Sequence, residues 1–243
     1  MRRDDSVGVV SERVVDLNAD VGEELDADGT LDAALLGVVT SANVACGFHA
    51  GTPETMRAVC GLAAASGVSI GAQVSYDDRA GFGRRALEVA PPVLAQQVAD
   101  QVGALMTIAE AEGASVRYLR PHGALYNRIA DDAEQAAAVL AGSGELPVLG
   151  LPGSVILELA SAAGRVVLTE AFPDRAYGRD GRLRPRSEAG AVLTSSSAIA
   201  ARAVELAGGV DSLCLHGDTP GAVAHAREVR QALERDGWVL QGL

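Results

Sequence analysis

Three of the four histidines in this 243-residue chain sit in short strings rich in polar side chains and glycine. The strings are Asn43-Val44-Ala45-Cys46-Gly47-Phe48-His49, Arg120-Pro121-His122-Gly123 and His216-Gly217-Asp218. A fourth string, Asp16-Leu17-Asn18-Ala19-Asp20, sets a polar side chain at every second position, which gathers all three on one face of an extended run. Gln73 is followed by Asp77, Asp78, Arg84 and Arg85; Asn127 follows His122; Glu170 leads into Asp174 and Arg175. Imidazoles and carboxylates move protons. Guanidinium forks hold carboxylate or phosphate, and neighbouring glycines let a ligand or another backbone come close. The same donors suit a divalent metal, but the sequence has no HExxH and no histidine pair at i, i+4, so no metal ligand is assigned. The Asp16, Asn18, Asp20 row has a second reading, a network bracing the first loop. Cys46, Cys60 and Cys214 form no CxxC pair and are expected to be buried thiols. His225 falls inside the last expected helix, as a surface or packing residue.

Each polar string closes a short β-branched run, and the runs alternate with alanine-rich helical stretches. Strands are expected at Arg13–Leu17, Val39–Ala45, Val68–Ala72, Val116–Leu119, Pro147–Leu151, Val166–Thr169, Ser212–Leu215 and Trp238–Leu240. Helices are expected at Leu31–Leu36, Pro53–Ser66, Pro91–Glu112, Asp131–Ala141, Ser154–Ala163, Ser195–Ala207 and Pro220–Arg235. About seven β-then-α units in one series predict an α/β fold with a parallel sheet. A closed β/α barrel suits the length, as a single domain over residues 1–243 with 1–12 a poorly ordered extension. An open doubly wound sheet is the alternative, weakened by the lack of GxGxxG after the first strand. In a barrel, strand carboxyl ends share one rim, so the polar strings converge there.

Composition narrows the function further. All 20 basic residues are arginine, so the chain has neither a P-loop lysine nor a Schiff-base lysine. The net charge of −12 argues against a nucleic-acid binder. No apolar run is long enough to span a bilayer, and no signal-peptide h-region follows Met1-Arg2-Arg3. The expected location is the cytoplasm. The long arginine-rich loop Ala171–Leu193 reads as a lid, a partner-docking segment or a solvated loop. Association into a homo-oligomer carries no mark in the sequence.

The strings Asp16–Asp20, Thr40–Gly51, Gly81–Arg85, Pro121–Asn127 and Leu215–Asp218 resemble the LamB/YcsF family, in order, from about Val14 to the end of the chain. The resemblance implies a distorted seven-stranded β/α barrel of the deacetylase type. It implies ATP-dependent opening of the lactam of 5-oxo-L-proline to L-glutamate, as the A component of 5-oxoprolinase working with subunits B and C. ATP would be held by those partners, which phosphorylate the lactam oxygen. On this reading the catalytic candidates are Asp20, His49, His122, His216 and Asp218. His49 or His122 would transfer protons, and Asp20 or Asp218 would serve as base or orienter. The substrate-binding candidates are Asp16, Asn18, Asn43, Gln73, Arg84, Arg120, Asn127, Glu170 and Arg175, with Arg84 and Arg120 holding carboxylate or phosphate.

Two positions depart from the family pattern. Gln73 stands where relatives usually carry histidine, and Arg120 where they usually carry lysine. Glutamine keeps hydrogen-bonding capacity but carries no proton to transfer at neutral pH. Arginine keeps the charge but does not exchange its proton. Two alternatives to the lactam-opening role follow: a metal-dependent, deacetylase-like hydrolase acting alone, and a non-catalytic binding subunit.

Overall fold

The computed structural model describes residues 12–25 and 28–243; the expectation for the N-terminal extension falls almost wholly on positions outside that range. The chain alternates strand and helix from end to end. β1 (Arg13–Val21), α1 (Thr30–Leu36), β2 (Ser41–Ala45), α2 (Pro53–Ser66) and β3 (Ser69–Gln73) lead to α3 (Pro91–Ala111), β4 (Val116–Leu119), α4 (Gly123–Arg128) and α5 (Ala133–Gly142). β5 (Val148–Gly150), α6 (Val155–Ala162), β6 (Val167–Ala171), α7 (Ser196–Ala207), β7 (Ser212–Leu215), α8 (Ala222–Arg235) and β8 (Trp238–Leu240) complete it.

Local chemistry explains the boundaries. In α2, Thr52 caps the first turn by accepting from the Thr55 amide, Pro53 takes the first position, and Gly67 closes the helix at φ 68°. α3 begins with two prolines and buries Leu94, Val98, Gln101, Val102, Leu105 and Ala109, a stripe at three- and four-residue spacing. α4 was not expected. It is six residues long, and it starts at Gly123 with φ 60°, against the backbone of Gly83, whose carbonyl accepts from the Ala124 amide. A turn this short, held by a loop forty residues away, leaves no periodicity to read.

The strands pair in parallel in the order β2-β3-β4-β5-β6-β7-β1, and a β1–β2 pairing closes a seven-stranded barrel. β1 is the longest strand and has three partners: β7 along Asp16–Ala19, β2 along Asn18–Val21, and β8 along Arg13–Val15. β8 therefore adds at the amino end of β1, where the β2 pairing has not begun. The alternation of β1 divides two environments. Val15, Leu17, Ala19 and Val21 join the apolar core, while Asp16, Asn18 and Asp20 are buried in a polar network.

That network fills the barrel. Thr40 and Ser41 donate to Asp16 Oδ1, each at 2.7 Å, and Ser212 donates to Asp16 Oδ2. Asn18 Nδ2 donates to Ser212 at 2.6 Å, Asn43 Nδ2 to Asn18 at 2.7 Å and to Asp20 at 2.9 Å, and the Tyr118 hydroxyl to Asn43 at 2.8 Å. Room for the Tyr118 ring comes from Gly71, where a Cβ would overlap it. Burial pushes the Asp16 carboxyl up to about 6, although three hydroxyl donors pull it the other way.

Candidate functional site

Arg120, one residue past β4, joins the polar interior to the rim. Its Nη1 donates to Asp20 at 3.0 and 3.2 Å, its Nε to Glu170 at 3.1 Å and its Nη2 to the Cys214 sulfur at 3.2 Å. The guanidinium also lies 5.1 Å from the Tyr126 ring and 5.5 Å from Phe172. Burial opposes its charge, but Asp20, the Cys214 sulfur and Glu170 hold it charged. Lysine has no planar fork to reach three such partners at once.

Beside Arg120 lies a group that the sequence did not single out in full. Glu23 Oε1 stands 3.4 Å from His49 Nε2 and 3.7 Å from His122 Nε2, and Gln73 Nε2 donates to it at 3.4 Å. Glu23 escaped notice because β1 stops at Val21. Gly22 at φ 71° and Glu24 at φ 56° break the two-residue alternation that had marked Asp16, Asn18 and Asp20. The two imidazoles stack with centroids 4.0 Å apart and planes 15° apart, and the Phe82 ring meets each edge-on at 5.7 Å. Phe82 itself has φ 55°, uncommon strain for a bulky residue and typical of a functional loop. The loop is held by Asp78, which accepts from the Gly81 and Arg85 amides and the Arg85 guanidinium.

Protonation in this group follows from burial. Burial drives His49 down to about 4. It drives His122 well below the usual imidazole range, with His49 and Arg120 adding to the effect. Burial, with the Asp20 and Asp218 charges, pushes Glu23 well above the carboxylate range. Ser75 gives its proton to the Tyr76 carbonyl at 2.7 Å and thus accepts from His49 Nδ1 at 3.1 Å, which leaves His49 Nε2 unprotonated. Burial thus disfavours charge on all three groups, the carboxyl as well as the two imidazoles.

Among the described residues, Glu23, His49 and His122 are the one set of three whose donor atoms gather closely enough for a metal ion, all within 4.8 Å. Two imidazoles and a carboxylate suit zinc or a similar cation. The ring planes do not: stacked face to face, their Nε2 lone pairs run side by side instead of meeting at a point.

His122, Asp20, Arg84 and Arg120 face a cleft of about 500 Å³ whose far wall is the loop after β6. His216 lies on that side, with Nδ1 2.8 Å from Asp174 Oδ2 and its ring stacked on Phe172 at 5.5 Å. Asp218 bridges the mouth, 2.5 Å from Arg84 and 3.5 Å from Arg186, and both guanidiniums hold its carboxyl below the usual range against burial. Asn127 is at the rim, its amide donating to the Gly123 carbonyl. Arg175 lines the cleft but spends its guanidinium on the carbonyls of Ala191 and Arg184. The loop it braces carries two antiparallel bridges, Arg175 with Val192 and Tyr177 with Leu183.

The expected residues thus fall into three places. Asp20, Arg84, Arg120, His122, Asn127, Arg175 and His216 face the cleft, with Asp218 at its mouth. His49, Gln73 and Glu170 are buried just behind it. Asp16, Asn18 and Asn43 bond among themselves and their neighbours inside the barrel, tying β1 to β2 and β7. The three cysteines are free and buried, and His225 is a packing residue bonded to Ser196 at 2.7 Å. None of the helices is long and apolar enough to cross a membrane, among the described residues.

Comparison with known proteins agrees with this arrangement. The LamB/YcsF family matches residues 15–243. The chain is 57% identical to the A component of the 5-oxoprolinase of Streptomyces avermitilis, over 92% of this chain and 97% of that one. It is 48% identical to a 5-oxoprolinase A component of Agrobacterium fabrum, over 92% and 95%. Among solved structures, a lactam utilization protein from Thermus thermophilus superposes with a TM-score of 0.86 at 39% identity, over 95% of this chain and 100% of that one. The catalytic domain of a peptidoglycan N-acetylglucosamine deacetylase from Eubacterium rectale, at 13% identity and a TM-score of 0.55 over 96% and 90%, shares the fold alone. The matching strings, the seven-stranded barrel and the near full-length identity lead to one assignment: the chain belongs to the LamB/YcsF family.

Proposed function

We infer that this chain is the A component of an ATP-dependent 5-oxoprolinase and opens the lactam of 5-oxo-L-proline to L-glutamate. The observation that carries this is the 57% identity to a 5-oxoprolinase A component across nearly the whole of both chains. The site's chemistry supports it. Opening an amide ring needs a water made nucleophilic, a stabilised oxyanion and a proton for the departing nitrogen. Neutral His122 at the cleft wall is in the form a base requires, and burial, His49 and Arg120 keep it so. Arg84 and Arg120 offer guanidiniums to an anionic substrate. Asp20 and Glu170 fix Arg120 in place. ATP is used by the partner subunits, B and C, in the cytoplasm; this chain has no lysine for a P-loop.

The decisive experiment is an ATP-dependent 5-oxoproline assay with this chain alone and with its partner subunits. Turnover requiring both is the expected result; no turnover in the complete complex overturns the reading. A metal-dependent hydrolase acting alone is the second reading, favoured by the gathering of Glu23, His49 and His122. Stoichiometric zinc in the purified protein, with partner-independent activity lost to a chelator, would establish that reading instead.

A further inference from the structure

The three strand-end histidines are not equivalent. His49 and His122 are stacked on each other beside the Glu23 carboxyl, whose charge burial opposes. His216 is held by a carboxylate of its own. Asp174 Oδ2 lies 2.8 Å from His216 Nδ1 and accepts from the His216 backbone amide at 3.1 Å, so one oxygen pins both the ring and the main chain. Phe172 stacks on the ring with planes 22° apart. With Nδ1 tied and a face covered, Nε2 is the ring nitrogen left for the cleft that His216 lines. Asp174 is 2% exposed, and its other oxygen has no hydrogen-bond partner among the described residues. No other histidine described has an aspartate on its Nδ1: those of His49 and His225 meet serines, and that of His122 has no partner.

We propose that Asp174 is the positioning residue for His216, and that His216 Nε2 is the proton donor to the departing lactam nitrogen. The proposal rests on the lactam-opening function above and divides its chemistry between the two walls of the cleft. Water adds to the ring carbonyl carbon and gives up a proton to His122. The C–N bond then breaks, its electron pair passes to nitrogen, and the imidazolium of His216 supplies the proton nitrogen takes. The phosphoryl group that the partners placed on the lactam oxygen stays on the new carboxyl as an acyl phosphate, and a second water releases it as inorganic phosphate to leave L-glutamate. Proton return through solvent resets both rings. The carboxylate on Nδ1 stabilises the imidazolium and fixes which nitrogen faces the substrate. Burial opposes the Asp174 charge, but His216 and its amide hold that carboxyl below the usual range, so it stays ionised. The other charges around the ring are Asp20, one residue beyond the Ala19–Leu215 pair on the neighbouring strand β1, and Arg120 and Arg175 of the cleft lining, with Asp218 bridging Arg84 and Arg186 at the mouth.

The test uses the full-length chain and its Asp174→Asn variant, which keeps an acceptor but loses the charge. In a histidine NMR spectrum of the chain alone, the Nδ1–H resonance of His216 that Asp174 holds should shift or vanish in the variant. In the reconstituted complex, kcat should fall roughly a hundredfold with KM little changed. The alkaline limb of the rate profile should move to lower pH. His216→Gln should lose as much, and adding Asp174→Asn to it should cost nothing further. An unchanged His216 Nδ1–H resonance, an unmoved pH profile or full activity in His216→Gln overturns the proposal. If Asp174→Asn does not fold, His216→Gln in the complex decides alone. A wild-type complex that opens no 5-oxoproline defeats the functional reading instead, while the NMR spectrum still reports on the Asp174–His216 contact.

Discussion

At the scale of single residues, the site works by setting protonation through burial. His122 is kept neutral by burial, by its stacked partner and by nearby arginines. Replacing it with alanine should lower 5-oxoproline turnover in the reconstituted complex roughly a hundredfold or more, with the melting temperature nearly unchanged. Full activity would remove it from the reaction. Asp16 shows the cost of the polar interior. Its folded-state pKa, raised from 3.8 to about 6, means the folded protein binds this proton more tightly than the unfolded chain. Stability therefore falls as pH rises from about 4 to about 6, and the full penalty, on the order of 3 kcal/mol, applies above that. An Asp16→Asn variant escapes it. Its unfolding free energy relative to wild type should rise across that interval and level off above it; a flat difference from pH 4 to 7 would disprove the account. The identities of His122 and Asp16 were legible in the sequence, but their protonation was not, because both shifts come from side chains far away in the chain.

At the scale of elements, a few glycines decide how strands and loops approach. Gly71 in β3 faces Tyr118 in β4, at a register shift between the two strands. A methyl group there would overlap the ring, so Gly71→Ala should cost about 3 kcal/mol, measured by chemical denaturation. Little loss would mean the ring moves freely, and with it the Tyr118–Asn43 bond. The strands and long helices agree closely with expectation. β4, β7, β8 and α2 have the expected bounds, because β-branched runs, a Thr-Pro start and a glycine stop are local signals. β1 runs to Val21, past the expected Leu17, since its polar alternation is interior-facing strand and not loop. α4 and the strained Phe82 turn escaped because distant backbone creates them.

At the scale of the whole molecule, charge is unevenly placed. The chain carries −12 overall, yet the cleft presents six arginines, at positions 84, 120, 175, 182, 184 and 186, and Asp20 as its one lining acid among the described residues. Such a cleft draws anions toward the site. Raising the ionic strength shortens the screening length from about 8 Å at physiological salt. KM for 5-oxoproline should then rise severalfold with kcat nearly constant. A salt-independent KM would mean that the arginines serve only the loop.

The sequence by itself determined the order of strands and helices and the gathering of polar strings at strand carboxyl ends, because periodicity, caps and glycine stops act over a few residues. It also marked most of the residues at the site. Only the tertiary structure decided that β8 stays outside the ring of seven, since that depends on β1 pairing with β2, β7 and β8 at different points along its length. Only the fold brought Glu23 to two histidines and Asp174 to His216. Those meetings, and the protonation states they impose, arise from burial and from contacts between segments 26 to 99 positions apart, which no local pattern encodes.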